Sequence, residues 1–461
     1  MAVTGQGSVM FIAVAGSDEN DIPVGKGVAF TENATDPDID WKYYNQPIDT
    51  EDSVLPPFGR LGYIEALPIT VEQANVTYDI AFSDLCCDGS EIITFAFIAS
   101  WAGGLRRYKP ADATWVRIPV PEDDQFELIT CADTSYENNS DGLRVLKDFY
   151  YNPRDPIDGG NHNHKTFSVL TYGDTIWVGT ANGINRGIFG GYSEWFGYCI
   201  NWEHYSYPAY NLSGNFVVGL ALQMHKGKRV IWAATVNADD PTEQRGVSYT
   251  TNDGLSWDTA LLGERVYNIT AQDSLVFAAT ANGLWKTEDG INWARYKPAQ
   301  QHIPYSTDEV LANEVYSVAF DTSDNSIWIG TGDGVAHTYD LDGLDWKIFR
   351  AEYDIDEDYA YPNPFSPYTH NVLGGDGYVR FHTNEWSESS EIKLDVYNFA
   401  MEKVFAGSFD RTATSSGALK WNGRDMEGRL VNNGVYFVKL TYPEGYNIKP
   451  SPHWVKLIVV K

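Results

Sequence analysis

The sequence predicts an all-β chain: a β-propeller of six recognisable four-stranded blades, or seven with a partial or missing N-terminal blade, followed by an Ig-like β-sandwich. Three observations carry this reading. First, one unit recurs. In its clearest copy, Ser326-Ile327-Trp328-Ile329-Gly330-Thr331 is an apolar run rich in β-branched and aromatic residues, and Gly332-Asp333-Gly334 returns the chain to a new strand at Val335. Strands over 315–320 and 345–349 complete a four-stranded antiparallel unit. Second, every copy holds a Gly, then an aliphatic residue, then a Trp. The pairs are Gly27/Trp41, Gly104/Trp115, Gly183/Trp202, Gly246/Trp257, Gly283/Trp293 and Gly334/Trp346, separated by 14, 11, 19, 11, 10 and 12 positions. Third, the 461 residues include 41 glycines and abundant Asn and Asp, and long apolar patterns of helical period are absent.

The first unit reads as strands over 9–14, 27–31 and 40–44, with Ala2-Val3 as the remnant of an innermost strand. The second covers 76–82, 92–99, 104–108 and 114–118, and the third 167–172, 175–180, 183–184 and 201–205. The fourth covers 216–222, 230–235, 246–250 and 256–257, and the fifth 266–270, 275–280, 283–285 and 292–296. The longest insertions between units are residues 45–75 and 121–165. A lone four-stranded sheet leaves a face in water, and radial stacking buries it against neighbours. The recurring glycine is expected to admit a close strand approach near the narrow axis. The Trp is expected to fill the wider space between blades. A row of independent sandwiches leaves the repeated Gly–Trp spacing unexplained.

Thr250-Thr251-Asn252-Asp253-Gly254-Leu255-Ser256-Trp257 resembles the Asp-box, the S-x-D-x-G-x-T-W hairpin of sialidase-like and sortilin-like propellers. Looser copies lie at 286–293 and 339–346, and the I-W-x-G-T-x-x-G-V run is similar to the two-component-regulator propeller repeat. The resemblance spans about residues 8–350 and implies a fold rather than an activity, because these motifs are structural hairpins.

The composition shifts after Phe349, and the expected layout is a propeller over 1–351, an acidic linker over 352–360 and a second module over 361–461. Short alternating strands over 378–381, 392–397, 404–407, 434–440 and 455–460 read as a sandwich. The module is similar to the Ig-like C-terminal sorting domains of type IX secretion substrates and to the related domain of flagellar hook-capping proteins. The landmarks are Tyr361-Pro362-Asn363-Pro364-Phe365, Asp395-Val396-Tyr397-Asn398, the W-N-G-R-D-x-x-G run from Trp421, Asn433-Gly434-Val435-Tyr436-Phe437 and the final K-L-I-V-V-K. The usual glycine after the D-V-Y-N strand is replaced by Ala400-Met401-Glu402. The resemblance implies export across an outer membrane, with the type IX machinery as partner.

Acidic residues outnumber basic ones 63 to 33, for a net charge of −30. Such a surface repels nucleic acid and anionic membranes, and no apolar run is long enough for a membrane-spanning helix. It suits an extracellular or outer-membrane-surface protein. The N-terminus carries no signal-peptide pattern, which is expected if the chain begins inside a longer protein. Cys86, Cys87, Cys131 and Cys199 match no zinc spacing; one local disulfide and free buried thiols are both compatible with them.

Several residues could carry function. Trp195, Phe196, Tyr198, Tyr205 and Tyr207, with Tyr210, could line a platform for a glycan or an extracellular protein, or could pack between blades. Asp321, Asp324, Asp340 and Asp342, with Asp345, could hold calcium, and Asp is equally an ordinary turn former. No other cofactor is expected. His162 and His164 would point the same way on a strand and could bind a metal; a loop is the simpler reading. Arg117-Ile118-Pro119 resembles the R-I-P of sialidases but sits after the Trp, in an outer strand, and arginines are few. The expectation is therefore a binding or scaffolding module rather than an enzyme. A sialidase-like glycosidase and a self-associating subunit of a surface layer or filament are the alternatives.

Overall fold

The computed structural model describes the chain except residues 1–2, 7–8, 19, 21, 37, 88–90, 194, 297–309, 311, 342–345, 350–357, 371–376, 383–390, 411–418 and 443–452. Asp342, Asp345 and most of the expected acidic linker therefore lie outside the described residues. The chain divides into two compact units, Met1–Val276 with Asp289–Ile291, and Phe277–Glu288 with Asn292–Lys461. Both are built almost entirely of antiparallel β-sheet.

In the first unit, four repeats form sheets whose strands follow chain order from the inner to the outer edge. The first comprises Val3–Gln6, Val9–Ser17, Pro23–Thr31 and Lys42–Tyr44. Its innermost strand is real and longer than the sequence suggests, pairing Val3 with Ile12 and Gln6 with Val9. The second comprises Thr77–Cys87, Glu91–Ser100, Gly104–Lys109 and Thr114–Arg117. The third comprises Thr166–Tyr172, Thr175–Thr180, Gly183–Ser193 and Gly197–Tyr205, and gains a fifth, outer strand, Glu127–Leu128. The fourth comprises Phe216–His225, Lys228–Val236, Gly246–Thr250 and Asp258–Ala260. The innermost strands of the second, third and fourth sheets lie side by side in succession, followed by Val266–Gln272 of the fifth repeat. That is blade packing around a centre.

Apolar cores fill the spaces between blades. Phe11, Val28 and Phe30 of the first meet Ile80, Ile98 and Tyr108 of the second. Trp177, Ile184 and Tyr205 of the third meet Val217, Ile231 and Trp257 of the fourth. The two insertions join into one sheet of their own. Val54–Leu55 and Tyr63–Ala66 come from the first insertion, and Tyr136–Asn138 and Arg144–Tyr151 from the second. They are held by a parallel pairing of Val145 with Tyr63 and Tyr151 with Ala66. Ile64, Leu146 and Phe149 of this sheet share one core with Phe95 and Phe97 of the second blade and Ile200 and Trp202 of the third. The insertions thus wedge between two blades. Cys131 and Cys199 form a disulfide with Cα atoms 5.4 Å apart, tying the second insertion to the third blade's outer strand. The side chains of Cys86 and Cys87 lie outside the described residues.

Five of the recurring glycines, Gly104, Gly183, Gly246, Gly283 and Gly334, open the third strand where it leaves the turn from the second, whereas Gly27 lies midway along Pro23–Thr31. At Gly183 and Gly283 φ is +95° and +119°, and a Cβ would come within 2.2 and 2.3 Å of the carbonyl oxygens of Tyr205 and Tyr296 in the fourth strand. At these two glycines the close approach is between third and fourth strands rather than toward the axis, whereas Gly104 instead approaches Tyr151 of the insertion sheet. The tryptophans are not equivalent. Trp202, Trp257 and Trp346 are buried, Trp115 and Trp293 are half-buried, and Trp41 is 38% exposed just ahead of its short strand. Filling the space between blades is thus not the role of Trp41.

In the second unit, Gly283–Thr287 pairs with Trp293–Tyr296. Val315–Asp321, Ser326–Thr331, Gly334–Thr338 and Lys347–Phe349 form a further four-stranded sheet in chain order. Two facing sheets follow. Tyr359–Tyr361, Val379–His382 and Lys420–Trp421 make one. Glu391–Tyr397, Lys403–Asp410, Gly434–Thr441 and His453–Val459 make the other. Val379, Phe381 and Trp421 meet Leu394, Val438 and Leu457 in one core, as a sandwich requires. Ala400-Met401-Glu402 still closes its turn, with Met401 at φ 62° and the Asn398 side chain accepting from the Glu402 amide at 3.0 Å.

Candidate functional site

The strongest candidate is a cleft of about 480 Å³ between the second and third blades, roofed by the first insertion. Its floor comes from alternation along three neighbouring strands, which puts every second side chain on one face. Ile93 and Phe95, Arg107 and Lys109, and Thr114 and Val116 all face it. Trp115 and Tyr108, one residue out of step, point instead into the core shared with the first blade, their rings 4.8 Å apart. The opposite wall is Tyr192, Gly197 and Tyr198, at the tip of the third blade's long outer hairpin. Phe58, Gly59 and Arg60 form the roof, pinned to that tip by the Leu61 amide donating to the Trp195 carbonyl at 2.9 Å. A Cβ on Gly197 would lie 2.9 Å from the Phe58 carbonyl oxygen, so only glycine permits this approach.

Arginine–aromatic stacking organises the interior. The Arg107 guanidinium lies 4.5 Å from the Phe95 ring centre and 5.5 Å from that of Tyr198, and its Nη1 donates to the Tyr198 carbonyl at 2.8 Å. Arg60 lies 4.9 Å from the Tyr192 ring centre. Lys109 Nζ donates to Asp112 at 2.6 Å. Partial burial raises the Asp112 carboxyl, but hydrogen bonds from Lys109 and Thr114 outweigh it and leave the group below its usual range. The lining holds three cationic side chains and this one carboxylate.

The aromatic candidates do not form one platform. Tyr198 lines the cleft. Trp195 is 52% exposed outside it, with Arg144 6.0 Å from its ring centre. Phe196 is buried, stacked 4.4 Å from Tyr136 of the insertion sheet. Tyr205 is buried against Trp177, Tyr210 and Trp257. Tyr207 is half-buried, its hydroxyl 2.7 Å from that of Thr242. Tyr198 and Tyr205 stand near opposite ends of one nine-residue strand, too far apart to share a ligand.

The aspartates act as turn formers. Asp321 Oδ1 accepts from the Ser323 amide and hydroxyl, and Asp324 Oδ1 from the Ser326 amide. Asp340 is bonded through its amide to the Thr338 hydroxyl. Among the described residues no group of three or more His, Cys, Asp or Glu side chains is placed to hold a metal ion. The hairpin at 250–257 is likewise closed by its own side chains: the Gly254 amide donates to Thr250 Oγ1, and Asn252 Oδ1 accepts from the Ser256 amide.

His162 and His164 lie on a short 3-10 turn rather than a strand, and their rings diverge. His162 is 3.0 Å from Lys165 Nζ, whereas His164 is fully buried and stacks 4.5 Å from Tyr151. Burial pushes the His164 imidazole from 6.5 down to about 4. Unfolding frees this group to bind a proton below its ordinary value, so its contribution to stability is complete above about pH 6.5 and is lost as pH falls toward 4. The stability gap between the wild type and His164→Gln should therefore narrow by a few kcal/mol across that window, followed by denaturant midpoints at each pH. Asp79, raised to about 6 by burial, acts in the opposite sense but is common to both proteins.

Arg60, Arg107, Lys109 and Tyr192 were not singled out by the sequence. The available signal was Arg106-Arg107 side by side in a strand, which forces the two guanidiniums onto opposite faces. Arg106 Nη2 meets Asp49 at 3.1 Å, as Arg117 Nη2 does at 2.7 Å, so Arg117 anchors an insertion from its outer strand.

No protein-family model matches the sequence, and no curated protein matches it. Among solved structures, it is similar over 99% of its length to PorZ, described as an essential bacterial surface component of the type IX secretion system of Porphyromonas gingivalis, at 14% identity and a TM-score of 0.34. An extracellular domain of a hybrid two-component system from B. thetaiotaomicron aligns over 97% of the chain at 12% identity and a TM-score of 0.32. The chain spans 59% and 56% of the lengths of these two. An exo-β-1,3-galactanase from Phanerochaete chrysosporium aligns over 99% of this chain and 94% of its own, at 11% identity and a TM-score of 0.33. Scores this low leave the fold to be read from the chain's own sheets, which are those of an all-β chain of successive four-stranded blades and a terminal sandwich.

Proposed function

We propose that the chain is a secreted or cell-surface binding module, with a propeller over 1–351, a linker over 352–360 and an Ig-like sorting module over 361–461. The cleft between the second and third blades is its ligand site. The observation that carries this is the cleft's construction: aromatic faces and cationic side chains converge on one opening, roofed by the first insertion, which shares a sheet with the disulfide-tethered second. The ligand is an extracellular glycan or protein. Binding fits better than glycoside cleavage, because acid–base hydrolysis uses two carboxyl groups, and the lining has only Asp112, already held by Lys109 and Thr114.

Export through the type IX machinery is supported by the ordered landmarks of the last module and by their physical use. Phe365 of Y-P-N-P-F is fully buried, and Asn363 bonds the final strand at Lys456 and Ile458. Among the described residues, no helix is long and apolar enough to cross a membrane.

Thr114 is exposed at the cleft mouth on an edge strand, where a large aromatic residue fits the strand and blocks the opening. Thr114→Trp should lower retention on glycan or extracellular-protein arrays by about tenfold or more, with the thermal midpoint unchanged. Undiminished retention by a folded Thr114→Trp protein would place the ligand elsewhere.

A further inference from the structure

We infer that the cleft takes an acidic oligosaccharide, a hexuronate carboxylate meeting Arg60 and Lys109 while sugar faces lie on Tyr192 and Tyr198. This deepens the binding reading above and rests on it. The first ground is charge. In a chain of net charge −30, the lining holds three cationic side chains and one carboxylate. The surrounding field repels extended polyanions, whereas a small anion that enters the cleft meets local cations within a partly dry wall.

The second ground is the state of those cations. Arg107 is buried and ties the wall to the roof through the Tyr198 and Phe58 carbonyls. Arg60 is different: it is half-buried, lies against Tyr192, and pairs with no carboxylate among the described residues. A guanidinium placed over a ring still has N–H groups to give to a planar carboxylate, which it can grip with two bonds. Lys109 has three donors and gives one to Asp112, leaving others for the same ligand.

The third ground separates a sugar from an acidic peptide. The floor is a sheet face, with Ile93, Phe95 and Val116 between the cations. Thr114–Arg117 is the edge strand there, but its Arg117 end is already bridged to Pro57, so strand addition along it is obstructed. Sugar rings, polar at the rim and apolar on the faces, match such a floor and its flanking tyrosines. A cleft of about 480 Å³ suits a short oligosaccharide.

The test is calorimetric titration of the full chain with trigalacturonic acid, its neutral methyl ester and triglutamate, at low and high salt. The acid should bind, and the ester about tenfold more weakly or worse. Arg60→Gln should remove that preference by weakening the acid and not the ester, and salt should weaken only the acid. Equal binding of acid and ester would overturn carboxylate recognition and leave the cleft as a binding site. Triglutamate binding as tightly as the acid would overturn the sugar. An Arg60→Gln protein with unchanged preference would overturn the placement at Arg60. If none of the three binds while a Thr114→Trp-sensitive array ligand exists, the uronate is overturned and the binding reading survives; without such a ligand both fail.

Discussion

Asp49→Ala is expected to destabilise the first unit by about 3–5 kcal/mol, because it strands two buried guanidiniums. Arg106, Arg117 and Asp49 have side-chain exposures of 4%, 2% and 5%. One carboxylate serves both arginines and also accepts from the Ile69 amide at 2.7 Å. Burial, and then the neighbouring Arg117, already pull Arg106 from 12.5 down to about 10, and removing Asp49 deletes the opposing interaction. Asp49→Asn should recover part of the loss by keeping acceptors without charge. The exposed pair Lys42–Glu32 provides the contrast, since Glu32→Ala should shift the denaturation midpoint by no more than about 1 kcal/mol equivalent. The insertion carrying Asp49 also roofs the cleft, so Asp49→Ala should weaken ligand retention as well. A protein unchanged in both respects would show that the insertions are appended rather than structural.

Trp257→Ala should cost about 3–5 kcal/mol, and Trp41→Ala less than about 1 kcal/mol, although both occupy the same place in the repeat. Trp257 is 3% exposed and packs edge-on to Trp177, with ring centres 6.1 Å apart, and beside Tyr205 at 5.9 Å. Removing it opens a cavity between the third and fourth blades. Trp41 is 38% exposed and leaves little void. Comparing denaturant midpoints of the two variants measures how far the sequence repeat is also an energetic repeat; equal losses would mean that it is a complete one.

The blades were legible because their signals are local. Each hairpin's alternation, turn glycine and aromatic residue lie within a few tens of positions, and the repeat multiplied that signal. The insertion sheet was not, because its defining pair, Val145 with Tyr63, is parallel and joins segments about 80 residues apart. No local pattern announces such a pairing. The same cause hid the cleft: Tyr198 stands out in the sequence only as an aromatic residue in an insertion, and its partners Arg60 and Arg107 arrive from two other segments. The loop around His162 and His164 is, by contrast, the simpler reading of the sequence, and the Asp123 carboxylate, accepting from the His162 and Asn163 amides at 2.9 and 2.7 Å, holds the segment in a turn. Of the two readings open for the aromatic candidates, packing describes Phe196 and Tyr205, because burial, not residue type, decides their role.

The most direct measurement is hydrogen exchange of the full chain with and without the ligand that it retains. Slower exchange is expected in 57–62, 107–116 and 191–198, the three segments that meet at the cleft, with little change in the fourth blade. Protection confined to other blades or to 361–461, with those three segments unaltered, would contradict the assignment of the cleft.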